Sequence, residues 1–194
     1  WTVRKDSQYY EPHWRRQVEA GPILTNLIHE IDLLRFICGD IVTVSAEITN
    51  HDQQFSKEDA VAISMKFANR AIGSFVLSDR TPTPWNWEMA LGENAKLPKS
   101  GQNAIRFMGT KGSLEFPNLV LWSHSNADGN WQDKIFREEI ETPFVDAYLA
   151  QCQHLCAVVR GTQRPIIGAE NGTKSLEVTL AVIRAANEGN RVII

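Results

Sequence analysis

His29 is the side chain in this sequence best suited to moving a proton at neutral pH, and it stands in a short polar series of Thr25, Asn26, His29, Glu30 and Asp32. An imidazole titrates near neutrality, so it can take a proton from a hydroxyl and return it. Asp32, nearly one helical turn on, is spaced either to orient and charge-stabilise that ring or to bond a backbone amide. The competing reading of His29 is a core histidine hydrogen-bonded to a neighbour. A zinc-protease helix needs a second histidine four residues after the first, and Leu33 stands there. Cys152 and Cys156 sit four apart on one helix face with His154 directed elsewhere. That is too few ligands for a metal, so small buried apolar side chains are expected and no metal site. The sequence contains no Gly-x-Gly-x-x-Gly, no Gly-Lys-Ser/Thr and no Gly-x-Ser-x-Gly, which leaves it without a phosphate cradle or a serine nucleophile elbow.

The elements that must carry these residues read as follows. Leu24, Leu27, Ile28, Ile31, Leu34 and Cys38 recur at helical spacing and Gly39 follows as a stop, so a helix runs through His29. Projected at about 100° per residue, Thr25, His29, Asp32 and Phe36 share a face beside the apolar stripe. From Ile41 to Ile140 the pattern changes to short alternating runs: Ile41–Thr49, Ala60–Phe67, Ala71–Ser78, Trp85–Leu91, Asn103–Met108, Ser113–Phe116, Leu119–Ser123 and Phe136–Ile140. Asn69-Arg70 and Gly109-Thr110-Lys111-Gly112 supply tight turns, and local reversals predict an antiparallel sheet. The Gly-x-x-Gly turn separates strands, so it reads as a hairpin rather than a nucleic-acid clamp loop, which lies between helices. Two helices are predicted to follow: Phe144–Arg160, ended by Gly161, and Ala169–Glu188, with Leu176, Leu180, Ile183 and Ala186 as its buried stripe and Gly189 as its cap. Val192–Ile194 closes as a strand, and Trp1–Val3 also reads strand-like. Helices segregated from a large antiparallel sheet predict an α+β fold, and no linker divides residues 1–194, so one domain is expected.

A chain of 194 residues, 43% hydrophobic and 22% charged, buries a substantial core. A formal net charge of -3 and a pI near 6.0 give no basic face for nucleic acid or an anionic membrane, and no apolar run reaches the roughly 20 residues of a bilayer span. Three cysteines, an odd number, disfavour a disulfide framework and fit a reducing, cytoplasmic location. A small-molecule partner is expected.

The string GPILTNLIHEIDLLRFICGDI, Gly21 to Ile41, resembles the signature helix that opens the C-terminal domain of the Gfo/Idh/MocA oxidoreductases, the glucose-fructose oxidoreductase and inositol dehydrogenase type. Arg4–Arg16 (RKDSQYYEPHWRR), Ser78–Asn94, Arg106–Trp122 and Gly172–Val192 resemble later and earlier segments of that domain in the expected order. The resemblance covers nearly the whole chain, and the first helix is its most specific part. It implies an open-faced, mainly antiparallel sheet with helices packed on one face, which binds substrate and forms a homo-oligomer through the exposed sheet face. It further implies NAD or NADP, held by an N-terminal Rossmann domain that lies outside this sequence together with a Glu-Lys-Pro lysine, so the chain alone is expected to be inactive. The implied reaction moves a hydride between nicotinamide and a hydroxyl-bearing carbon of a sugar, cyclitol or related polyol, with His29 as general acid/base. Many members carry an aspartate four residues before the histidine. Thr25 stands there, and it can orient a hydroxyl but holds no charge at neutral pH; Asn26 is placed to fix substrate hydroxyls. The alternative is a non-catalytic ligand-binding or oligomerisation module of the same fold.

Around this centre Tyr10, Trp14, Arg15, Arg80, Trp85, Trp87 and Asp32 are candidates for the substrate pocket, because sugars are held by aromatic faces and planar or charged hydrogen-bonding groups. Each has a plainer role available: Trp85 and Trp87, on one side of a predicted strand, as core fillers, and Arg15 and Arg80 as solvated charges.

Overall fold

The computed structural model describes residues 1–51, 54–92, 94–126, 128–143 and 145–194. β1 (Ile41–Thr49), β2 (Ala60–Phe67) and β3 (Ile72–Ser78) form an antiparallel run, registered by Thr49↔Ala60 and Ala60↔Ser78. In β2 the side chains of Val61, Ile63, Met65 and Phe67 are buried while Ala62, Ser64 and Lys66 are exposed, the period of two that seats one strand face on a core. The β2–β3 reversal works because Arg70 takes a positive φ of 75° and Asn69 Oδ1 accepts the Ala71 amide proton at 3.0 Å. β4 (Ile105–Gly109), β5 (Gly112–Phe116), β6 (Val120–His124) and β7 (Ile135–Glu139) pair in sequence order as a second antiparallel sheet. β8 (Val192–Ile193) joins the first sheet beside β1, giving the order β3-β2-β1-β8.

Two helices cover one face of the first sheet. α1 (Ile28–Cys38) buries Ile31 and Leu34. The sequence also contains a short helix α2 (Trp87–Leu91), then α3 (Ala147–Val159) and α4 (Ala169–Glu188). Leu27, Ile31 and Leu34 meet Val44, Val61, Ile63, Leu77 and Val178, Val182 and Ala185 of α4 in one hydrophobic cluster. Truncating any of these large side chains is expected to cost about 2–5 kcal/mol. The opposite face of the sheet, with Ser64, Lys66, Ile72, Ser74 and Val76, is open. The α+β class is therefore as expected, but the strands divide into two sheets of four rather than one.

Four local expectations are corrected. Trp85–Leu91 is no strand: Asn86 caps a helix by accepting the Met89 amide proton at 2.9 Å, and Gly92 ends it in the left-handed region at φ 73°. α4 has the predicted bounds, yet Leu176 and Leu180 are exposed and the buried stripe is Ser175, Val178, Thr179, Ala181, Val182 and Ala185. Small hydroxyl residues can be buried there because their polar atoms are satisfied, Thr179 Oγ1 donating to Ser175 O. Cys152 and Cys156 are exposed, since α3 buries none of its residues; it begins at Ala147 after the Asp146 cap, and Phe144 lies outside the described residues. Trp1–Val3 runs extended beside β3 without joining it as a strand, linked by a Thr2↔Ser78 bridge.

Candidate functional site

The helix through His29 begins with a wide turn. Ile23–Leu27 is a π-helical segment that passes into α1. Such segments replace i→i+4 with i→i+5 bonding and recur at functional sites. Glu58, from the loop before β2, holds the entry: its Oε1 accepts the Ile23 amide proton at 2.8 Å, and burial pushes its carboxyl up, partly opposed by that bond.

The widened turn splits the face that a uniform helix would have shared. Thr25 turns toward the preceding segment, where its hydroxyl is placed to donate to Gly21 O at 3.0 Å and to Asn26 Oδ1 at 3.1 Å. His29, Asp32 and Phe36 instead line a cavity of about 400 Å³ with Leu33, Ile166, Ile167 and Asn171. His29 is exposed, and no hydrogen bond from its ring reaches a described residue, so the core-histidine alternative fails. Asp32 does not hold the imidazole. Its Oδ1 accepts from Ser175 Oγ at 2.8 Å, and Ser175 Oγ in turn accepts from Arg35 Nη1 at 2.7 Å, which ties α1 to α4. Beside His29, burial pushes the Glu30 carboxyl up, with His29 opposing.

On the Thr25 side stands a group of cations and aromatics. Lys5 Nζ donates to Tyr9 Oη at 3.0 Å and to Asn26 Oδ1 at 3.4 Å. It is placed there by the backbone, since Lys5 N donates to Asp79 O at 2.9 Å. Arg15 Nη1 donates to Tyr9 O at 2.9 Å, and its guanidinium lies over the Tyr9 and Trp14 rings. Trp14 itself is exposed. Asn26 Oδ1 thus faces two donors, while its Nδ2 protons meet no acceptor among the described residues.

Four pocket expectations move elsewhere. Tyr10 is 2% exposed, with its ring on Phe55 and its hydroxyl donating to Asp79 O at 3.4 Å; it fills core, and Tyr9 takes the place at the surface. Arg80 lies over the Tyr10 and Phe55 rings. Trp87 packs on Phe116 of β5 at 4.9 Å between centroids, and Trp85 is 55% exposed in the loop before α2. Among the described residues no hydrogen bond or ring contact ties either tryptophan to Thr25, Asn26 or His29. The reading of the sequence missed Lys5, Tyr9 and Glu58. Lys5 and Tyr9 lie inside the Arg4–Arg16 segment that carried the resemblance, but adjacent tyrosines cannot be told apart without a register.

A hollow of about 1440 Å³ lies between the two sheets and is lined by Leu34, Phe75, Phe107 and Leu114 among others. His29 is not on its wall. Among the described residues no cluster of histidine, cysteine or carboxylate side chains is suited to a metal, and no helix is long and apolar enough to cross a membrane.

A family model described as "Oxidoreductase family, C-terminal alpha/beta domain" matches residues 1–194. The chain belongs to the Gfo/Idh/MocA oxidoreductase family. Among its relatives in that family is scyllo-inositol 2-dehydrogenase (NAD(+)) of Bacillus subtilis (strain 168), 26% identical over 175 residues, which are 88% of this chain and 46% of that protein. The fold is that of solved Gfo/Idh/MocA structures. WlbA dehydrogenase of Bordetella pertussis, solved with NADH and UDP-GlcNAcA, superposes with a TM-score of 0.64 at 18% identity, over 100% of this chain and 52% of that one. Aldose-aldose oxidoreductase of Caulobacter crescentus, solved with glycerol, gives 0.68 at 21% identity over 100% and 53%. The chain spans about half the length of these Gfo/Idh/MocA proteins.

Proposed function

We propose that this chain is the substrate-binding half of an NAD(P)-dependent oxidoreductase that acts on a hydroxyl-bearing carbon of a sugar, cyclitol or related polyol, with His29 as general acid/base. The observation that carries the reading is the exposed His29 imidazole, which makes no hydrogen bond to a described residue and stands three residues beyond the Asn26 amide, whose protons meet no acceptor among the described residues. The described residues offer no glycine-rich run of amides for a dinucleotide's phosphates, so the seat of the nicotinamide is assigned outside them. A bound nicotinamide would supply the hydride acceptor. Oxidising an alcohol also requires the hydroxyl proton to leave, and the His29 imidazole takes it, returning it to the oxygen in the reverse direction. Asn26 Nδ2 donates to a neighbouring substrate hydroxyl and fixes the carbon relative to the ring. Thr25 carries no proton load, because its hydroxyl is directed at Gly21 O and Asn26 Oδ1.

In the intact protein, His29→Ala should lower turnover by about 10²-fold or more while nicotinamide still binds. Unchanged turnover overturns the assignment. The second reading, a non-catalytic binding or assembly module, is favoured by Thr25 in place of an aspartate, and it gains the ground if the wild-type protein shows no nicotinamide-linked turnover of any polyol. The open sheet face is assigned to a homo-oligomer; light scattering should report at least a dimer, and a strict monomer refutes it. Three free cysteines support a reducing, cytoplasmic location.

A further inference from the structure

Lys5 and Arg15 place two positive charges on one ring. Lys5 Nζ lies 4.2 Å and Arg15 Cζ 4.3 Å from the Tyr9 centroid. Neither forms an ion pair: among the described residues no carboxylate oxygen comes within 4.0 Å of either cation. Every acceptor they do have is neutral, namely Tyr9 Oη, Asn26 Oδ1 and Tyr9 O. Arg15 Nε is buried without any hydrogen-bond partner, although a guanidinium has five N–H donors to satisfy. Two partly buried cations held together on an aromatic face, with only neutral acceptors and one donor unmet, form a site whose charge is not balanced from within. Asn26 links this corner to the helix of His29.

We infer that the Lys5–Tyr9–Arg15 corner binds an anionic group carried by the substrate, so that the enzyme selects acidic polyols over neutral ones. The inference rests on the reading of the His29 site as a polyol oxidoreductase. Lys5 Nζ meets the anion as a point charge, Arg15 meets it through Nη2, which donates to no described residue, and Asn26 keeps its amide for the adjoining hydroxyl. A carboxylate and a phosphate present the same oxygens to these donors.

The test is equilibrium binding to the intact protein, with D-glucuronate, D-glucose 6-phosphate and D-glucose as probes at low ionic strength. One or both anionic sugars should bind at least about tenfold more tightly than glucose, and whichever binds identifies the anion. Lys5→Met should abolish that preference, and Lys5→Arg should restore most of it. Equal affinity for all three sugars overturns the inference, as does an anion preference that survives Lys5→Met. Because the readout is binding, such a failure is separable from failure of the oxidoreductase reading, which would show as absent turnover.

Discussion

The carboxylate of Glu58 lies directly over the Cα of Gly21, in the space a Cβ would take, and from there accepts the Ile23 amide proton at 2.8 Å. One side chain from the loop before β2 thus anchors the first turn of the helix that carries the site, and only glycine leaves room for it. Gly21 has an ordinary φ of -61°, so backbone freedom is not what position 21 requires. Gly21→Ala should push Glu58 off Ile23 and cost about 1 kcal/mol, the worth of that hydrogen bond. Urea unfolding measures it; an unchanged midpoint would show that the carboxylate does not hold the turn.

The same carboxylate has a pH signature. Burial raises Glu58 above the ordinary 4.5, so the folded protein holds this proton more tightly than the unfolded chain does. The contribution of Glu58 to stability is therefore complete below pH 4.5 and is lost as pH rises through the raised value. Glu58→Gln keeps an oxygen for the Ile23 amide and removes the titration. Its melting temperature should gain on the wild type between about pH 4 and 7, and parallel curves would contradict the assignment.

Lys57 Nζ and Asp79 Oδ2 are 2.8 Å apart with both side chains 1% exposed, and Asp79 Oδ1 has no hydrogen-bond partner. Removing one charge strands the other. Lys57→Met should destabilise by about 3–5 kcal/mol, whereas Lys57→Met with Asp79→Leu should recover most of that loss. A double-mutant cycle in denaturant decides the point. If the double variant were no better than the single, the loss would not come from the stranded charge. Tyr10 feels the same cluster: burial, then Asp79, hold its phenol well above the ordinary range.

His154 joins α3 to the loop ahead of α4. Its Nε2 accepts the Ile166 amide proton at 3.2 Å, and its Nδ1 lies 2.9 Å from Gln163 Oε1, which makes Nδ1 the protonated nitrogen. The loop so held brings Ile166 and Ile167 to the cavity beside His29. His154→Ala should raise the substrate KM several-fold while changing unfolding free energy by under about 1 kcal/mol, as expected for a half-buried side chain outside the hydrophobic core. An unaltered KM would mean that this wall plays no part in binding.

How far the sequence could be read depended on what each signal reports. β1, β2 and α4 have the expected bounds because alternation and helical spacing act locally, and Gly189 marks its helix end without reference to anything distant. Trp85-Asn86-Trp87 mimics the period of a strand, whereas in the structure Asn86 caps a helix that Gly92 closes. Leu176 and Leu180 face solvent because α4 is apolar on two sides, and the choice was settled by Ser175 meeting Asp32 and Arg35 across the helix interface. The helix that carries His29 was legible, but the surroundings of that residue were not. The π turn that parts Thr25 from His29 leaves no trace in residue spacing, and nothing in two adjacent tyrosines says that Tyr10 goes inward and Tyr9 outward.

α3 stands apart from this cooperative body. It is a 13-residue helix that buries none of its side chains, and a peptide of that length is marginally helical on its own propensity. Its amides should therefore exchange with deuterium through local opening within seconds to minutes, while those of β2 exchange only when the whole domain unfolds. Through His154 this helix also holds the loop of Ile166 and Ile167. One wall of the cavity at His29 thus inherits the short lifetime of a fraying helix, and the opposite wall keeps the lifetime of the sheet.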